Sequence, residues 1–131
     1  MNKENFKDSL IFICNLAIPP NDLMETGLGD LINFDEYSKE EISPSLFVSK
    51  NELVLHVISK FMEEKKLTYE QLVKKMFIEL EFNQVSLFLE EFRLFALKNY
   101  FSNKLVLEKI KHLEKKDKSL LEDAFKDQII L

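Results

Sequence analysis

Two histidines, one cysteine and two glycines are the residues from which this chain of 131 could build a reactive or ligand-holding centre. Nucleophilic catalysis needs a serine or cysteine beside a base, most often histidine. His56 lies between Leu55 and Val57, and His112 sits in the charged run 109–115. Neither forms an H-E-x-x-H pair, which would set two ring nitrogens on one helical face, and neither has the preceding glutamate that a di-iron bundle requires. Cys14 is the lone cysteine, so an internal disulfide and a C-x-x-C metal site are both ruled out. Within the apolar run 10–18 it reads as a small core hydrophobe. Glu63-Glu64 and Glu90-Glu91 are adjacent carboxylates, but neighbours on a helix diverge by about 100°, so neither pair is a ready acid/base couple. The expectation is a protein that is not an enzyme and carries no metal or cofactor.

Both glycines fall in one stretch, Gly27-Leu28-Gly29, flanked by Glu25 and Asp30. A dinucleotide fingerprint would need a third glycine where Ile32 stands and a strand before it. A phosphate loop would be repelled by the flanking acids. The carboxylates between 22 and 35 also lack the order of an EF-hand loop. Gly27 therefore reads as the cap of a short helix and Gly29 as a turn residue.

Acid is distributed very unevenly. Residues 1–43 hold three lysines against nine acids, 44–101 balance eight against eight, and 102–131 hold seven against six. The formal net charge of −5 thus originates in the first third. Asp22, Glu25, Asp30, Asp35, Glu36, Glu40 and Glu41 make most of it, with Tyr37, Leu31, Ile32 and Phe34 as apolar anchors among them. An acidic rim around apolar anchors suits rapid, salt-sensitive capture of a basic protein. Small acidic proteins without catalytic chemistry, such as bacterial toxin immunity proteins and phage-encoded inhibitors, share this outline.

Nucleic acid and membrane are poor partners for such a chain. Residues 63–76, EEKKLTYEQLVKKM, resemble the first half of a helix-turn-helix, but no turn glycine comes after them and the next helix is apolar instead of base-reading. The lysines of 104–118 are offset by Glu108, Glu114 and Asp117. The apolar run 10–18 is far too short to cross a bilayer, and Glu4 and Asp8 spoil a signal-peptide charge pattern. The expected compartment is the cytoplasm.

The elements that must hold these residues are helical. Two glycines and three prolines in 131 residues are too few for a turn-rich β fold, and 46% hydrophobic content is enough for a core. Helical spacing of Phe6, Leu10, Ile13, Cys14 and Ala17 predicts a first helix over 4–18, ended by Pro19-Pro20. Asn21 or Asp22 caps a short helix through Met24, and a second short helix covers either 30–34 or 36–42. Ser49 or Asn51 caps a helix to about 65, with Leu53, Val54, Val57, Ile58, Phe61 and Met62 inward. Thr68 and Gln71 form a capping box for a helix over 69–81 with Tyr69, Val73, Met76, Phe77 and Leu80 inward. Asn83 caps a helix over 84–101, and two more cover 104–116 and 118–130.

The helix at 84–101 is apolar nearly all round, so it is expected at the centre of the bundle or at a shared face. Leu87, Leu94, Leu97 and Phe101 fall among Glu90, Glu91, Arg93 and Lys98, and are the candidate oligomer face of a homodimer. The fold expected is an all-α, single-domain bundle (1–131) of five to six helices around 84–101, with an irregular acidic segment at about 19–48. The expected function is a non-catalytic cytosolic binding protein, of immunity or inhibitor type, that blocks a basic toxin, nuclease or other effector. A structural subunit assembling through 84–101 is the alternative, and a helix-turn-helix regulator comes last.

Overall fold

The computed structural model describes residues 3–31, 46 and 49–125. They form a helical bundle of seven α-helices, with no strand among the described residues: α1 (Lys3–Ala17), α2 (Leu28–Leu31), α3 (Glu52–Lys60), α4 (Tyr69–Glu79), α5 (Phe82–Tyr100), α6 (Lys104–Lys116) and α7 (Lys118–Phe125). The count is one above the five to six expected: α2 lies close to the short helix predicted at 30–34, whereas the one predicted through Met24 does not form, residues 22–24 being a bend. A single 3₁₀ turn, Ser49–Asn51, leads into α3.

The chain's local signals explain most boundaries. Pro19 and Pro20 stop α1, after a last bond from Ile18 N–H to Cys14 O (3.1 Å). The Thr68–Gln71 capping box forms in full: Gln71 N–H donates to Thr68 Oγ1 (3.1 Å) and Thr68 N–H to Gln71 Oε1 (3.0 Å). Asn103 Oδ1 accepts from Leu105 N–H (2.9 Å) to start α6, and Asp117 Oδ1 accepts from Ser119 N–H (3.0 Å) to start α7.

Two boundaries and one cap differ from expectation. Helix α3 ends at Lys60, not near 65, because its bonds tighten to i→i−3 from Phe61 to Ile58 and from Glu64 to Phe61, and Lys66 then takes a left-handed φ of 64°. Asn51 sits at the cap of α3 but makes no cap bond; its amide instead donates to Glu91 Oε2 (3.0 Å) on α5. Helix α5 begins at Phe82, ahead of the expected Asn83 cap, with Glu81 N–H bound to Gln84 Oε1 (3.2 Å).

One hydrophobic cluster draws on every helix. Phe6, Leu10, Ile13, Cys14 and Ala17 are buried from α1, as their spacing predicts. From α3, Val54, Val57 and Ile58 are buried with Leu55, while Leu53, expected inward, is 54% exposed. Leu55 is buried instead, and α3 packs most extensively against α1. Tyr69, Leu72 and Met76 are buried from α4, with Val73, Phe77 and Leu80 half-buried against the same core.

Helix α5 occupies the central position. Val85, Phe88, Phe92, Phe95, Ala96 and Tyr100 are buried, and Phe92 stacks at 6.2–6.4 Å on Tyr69, Phe88 and Phe95. Such offset ring pairs add to the area they bury. Cys14 is fully buried in this core, and burial pushes its thiol well above the ordinary cysteine range. No helix among the described residues is long and apolar enough to cross a membrane.

Candidate functional site

The acidic segment starts on a strap that is fastened to the bundle from both sides. After Pro20, Asn21 closes a tight turn: its Oδ1 accepts from Leu23 N–H (2.9 Å) and Met24 N–H (2.7 Å), while its own N–H donates to Met24 O (2.8 Å). The Asn21 amide also donates across the fold to Ala124 O on α7. Met24 and Leu28 are fully buried, Leu28 N–H donates to Ile18 O (2.8 Å), and Leu31 is half-buried against the core. From the centre of the bundle, Tyr100 Oη donates to Thr26 O (2.9 Å), joining α5 to the strap over 74 residues of sequence.

Neither glycine serves turn geometry, and Gly27 serves close approach. Neither has a positive φ. A Cβ on Gly27 would lie 2.7 Å from Ile18 O and from Pro20 N and Cδ, so only a hydrogen fits between the strap and the end of α1. Gly27 precedes α2 instead of closing a helix, and its N–H donates to Asp30 Oδ2 (3.0 Å). Gly29 lies within α2, facing the side chain of Asn15.

Of the predicted partner-binding residues, Asp22, Glu25 and Asp30 are described, and all three are exposed. Asp22 and Glu25 project from the strap without an ion-pair partner among the described residues. Asp30 differs, because its carboxylate is spent on Gly27 N–H and holds the start of α2. Asp35, Glu36, Tyr37, Glu40 and Glu41, with the anchors Ile32 and Phe34, lie outside the described residues. The candidate oligomer residues are split. Leu87 and Leu94 on α5 are 57% and 61% exposed, whereas Leu97 and Phe101 are half-buried, with the Phe101 ring tilted against Phe125 at 5.8 Å.

Sequence reading missed two features. Tyr100 appeared only as part of an apolar helix; its hydroxyl contact with Thr26 has no local signature. The second is a cleft of about 590 Å³ where the turn after α3 meets α4, lined by Lys65, Lys66, Leu67, Gln71, Lys74 and Lys75, with Glu64 at its edge. The paired lysines nine residues apart are plain in the sequence, but only the fold brings both pairs to one cleft, beside a left-handed turn at Lys66. Lys74 is ion-paired with Glu70 (3.5 Å) and Lys75 with Glu64 (3.8 Å), which damps the cleft's positive charge.

No family model matches the chain, and comparison with curated proteins and with solved structures finds no match. The site must therefore be read from its own geometry. His56 and His112 are exposed on separate helices, and no group of three or more His, Cys, Asp or Glu with metal-holding geometry exists among the described residues.

Tyr100 reports on the fastening of the strap, and Tyr69 on the packing of α4 against α5. Burial pushes the Tyr69 and Tyr100 hydroxyls each up to about 12, and the Asp30 carboxylate adds to the effect at Tyr100. The ordinary value is about 10, so both groups bind their protons more tightly folded than unfolded. Their stabilising effect is complete below about pH 10 and is lost as pH rises through about 12. Denaturant midpoints should therefore fall across that window, with two of the three tyrosines forming phenolate only as the chain unfolds. Two tyrosines titrating near pH 10 in the folded protein would contradict this packing.

Proposed function

We propose that the protein is a non-catalytic binding protein that captures a basic protein partner with its acidic segment, in the manner of a cytoplasmic immunity or inhibitor protein. The observation that supports this reading most directly is the strap. Asp22 and Glu25 project from backbone that Asn21, Gly27 and Tyr100 fasten to the bundle. Binding orders flexible groups at a cost in free energy, and a pre-set backbone has already met it. Charges displayed on such backbone raise the rate of encounter with an oppositely charged surface and orient it on approach. The acids from Asp35 to Glu41 extend the same negative charge along the sequence. The partner's active site or basic surface would be blocked by the bulk of the bundle, with no bond made or broken.

The experiment is co-expression with the product of the gene adjacent in the native genome, followed by titration of the purified pair. Asp22→Lys and Glu25→Lys, combined with Asp35→Lys and Glu36→Lys, should weaken the complex at least about tenfold and flatten its salt dependence. Asp30 is left intact in this variant because its carboxylate supports α2. Affinity unchanged by the reversal would refute the reading.

A further inference from the structure

The outward stripe of α5 is arranged symmetrically about Leu94. Four residues before it stands Glu90 and four after it Lys98; seven before it stands Leu87 and seven after it Phe101. Spacings of four and seven keep all five on one helical face. Leu94 is 61% exposed and Leu87 57%, although α5 is otherwise the central helix of the core. Glu90 and Lys98 are exposed and have no ion-pair partner among the described residues. Their neighbour Glu91, by contrast, is held by Lys50 and by Asn51. The free charges on this stripe are thus one acid and one base at equal distances from an exposed leucine.

We infer that α5 is the seam of a symmetric homodimer, in which two copies pack antiparallel about a two-fold axis at Leu94. In a two-fold antiparallel pair, the residue n places before the centre faces the partner's residue n places after it. Leu94 then packs on the partner's Leu94, Glu90 faces the partner's Lys98, and Leu87 faces the partner's Phe101. Each polar contact occurs twice, and neither Glu90 nor Lys98 is opposed by a like charge. A parallel arrangement would set Glu90 against Glu90 and Lys98 against Lys98, so charge alone selects the antiparallel one. Phe101 is partly covered by Phe125 of its own chain, so the apolar contact is concentrated on Leu94 and Leu87. A helix of 19 residues is about 28 Å long, and one such seam buries less than the usual stable interface. The dimer is therefore weak and concentration-dependent. This inference does not depend on the acidic strap.

Sedimentation of the full chain from about 10 µM to about 1 mM tests it. The mass should rise from 15.5 kDa toward twice that value. Leu94→Lys should weaken association at least about tenfold with the helical signal unchanged, since the residue is exposed. Glu90→Lys should weaken it as well, and adding Lys98→Glu in the same chain should restore it, because the pair is reformed with its signs exchanged. A monomer at every concentration would overturn the inference. So would a dimer indifferent to Leu94→Lys, or a charge exchange that fails to restore association. If Leu94→Lys leaves a monomer unchanged but abolishes binding of the basic protein partner, the face belongs to that partner and the dimer is overturned.

Discussion

Replacing Phe92 by alanine should cost about 3–5 kcal/mol of folding stability and lower the thermal midpoint by more than about 10 °C. Phe92 is fully buried on α5, and its ring lies 6.2–6.4 Å from Tyr69, Phe88 and Phe95. Truncation removes the buried ring and leaves a cavity whose walls are aromatic groups anchored on two helices, so little collapse can fill it. Leu94, two positions along the same helix, gives the contrast. It is 61% exposed, and Leu94→Ala should change stability by less than about 0.5 kcal/mol in dilute solution. Urea unfolding followed by circular dichroism measures both. A loss below about 1 kcal/mol for Phe92→Ala would mean that α5 is not the centre of the core.

The second large effect is expected at Gly27, and its value lies in comparison with Gly29. Glycine to alanine ordinarily stabilises a helix or a loop by up to about 1 kcal/mol where the conformation permits it. Neither glycine has a positive φ, so backbone conformation alone would permit the change at both. At Gly27 the added methyl meets Ile18 O and Pro20 N at 2.7 Å, which are backbone atoms and cannot turn aside. Gly27→Ala should therefore cost about 1–3 kcal/mol, lifting the strap from the end of α1. At Gly29 the methyl meets Asn15 Oδ1, the end of an exposed side chain that rotates away, so Gly29→Ala should be neutral or slightly stabilising. The same urea titrations distinguish the two. Equal effects at both positions would contradict the close approach. If the strap displays Asp22 and Glu25 for binding, Gly27→Ala should also weaken the complex with the basic partner by more than its effect on the fraction folded.

Features set within a few residues were legible in the sequence. The Thr68–Gln71 box, the Asn103 cap, the stop at Pro19-Pro20 and the buried face of α1 depend on neighbours no more than one or two turns away. Asn51 looked equally suited to capping, yet its amide was drawn to Glu91, 40 residues distant. Leu53 and Leu55 flank the same apolar stripe on α3, and which of them is buried depends on tertiary packing and not on the local pattern. The acid of residues 22–41 was plain from composition. Its division into exposed Asp22 and Glu25 and a structural Asp30 was not, because that depends on where Gly27 N–H points.

By itself, the amino-acid sequence determined an all-helical chain, its capping chemistry, a central apolar helix and an acidic first third, since periodicity, caps and charge act over short distances. Only the tertiary structure decided that Gly27 marks close contact, that Tyr100 fastens Thr26, and that Leu87 and Leu94 stay in solvent while Leu97 and Phe101 are half covered. Those outcomes depend on which distant surfaces meet, and packing between segments far apart in sequence leaves no periodic mark in either one.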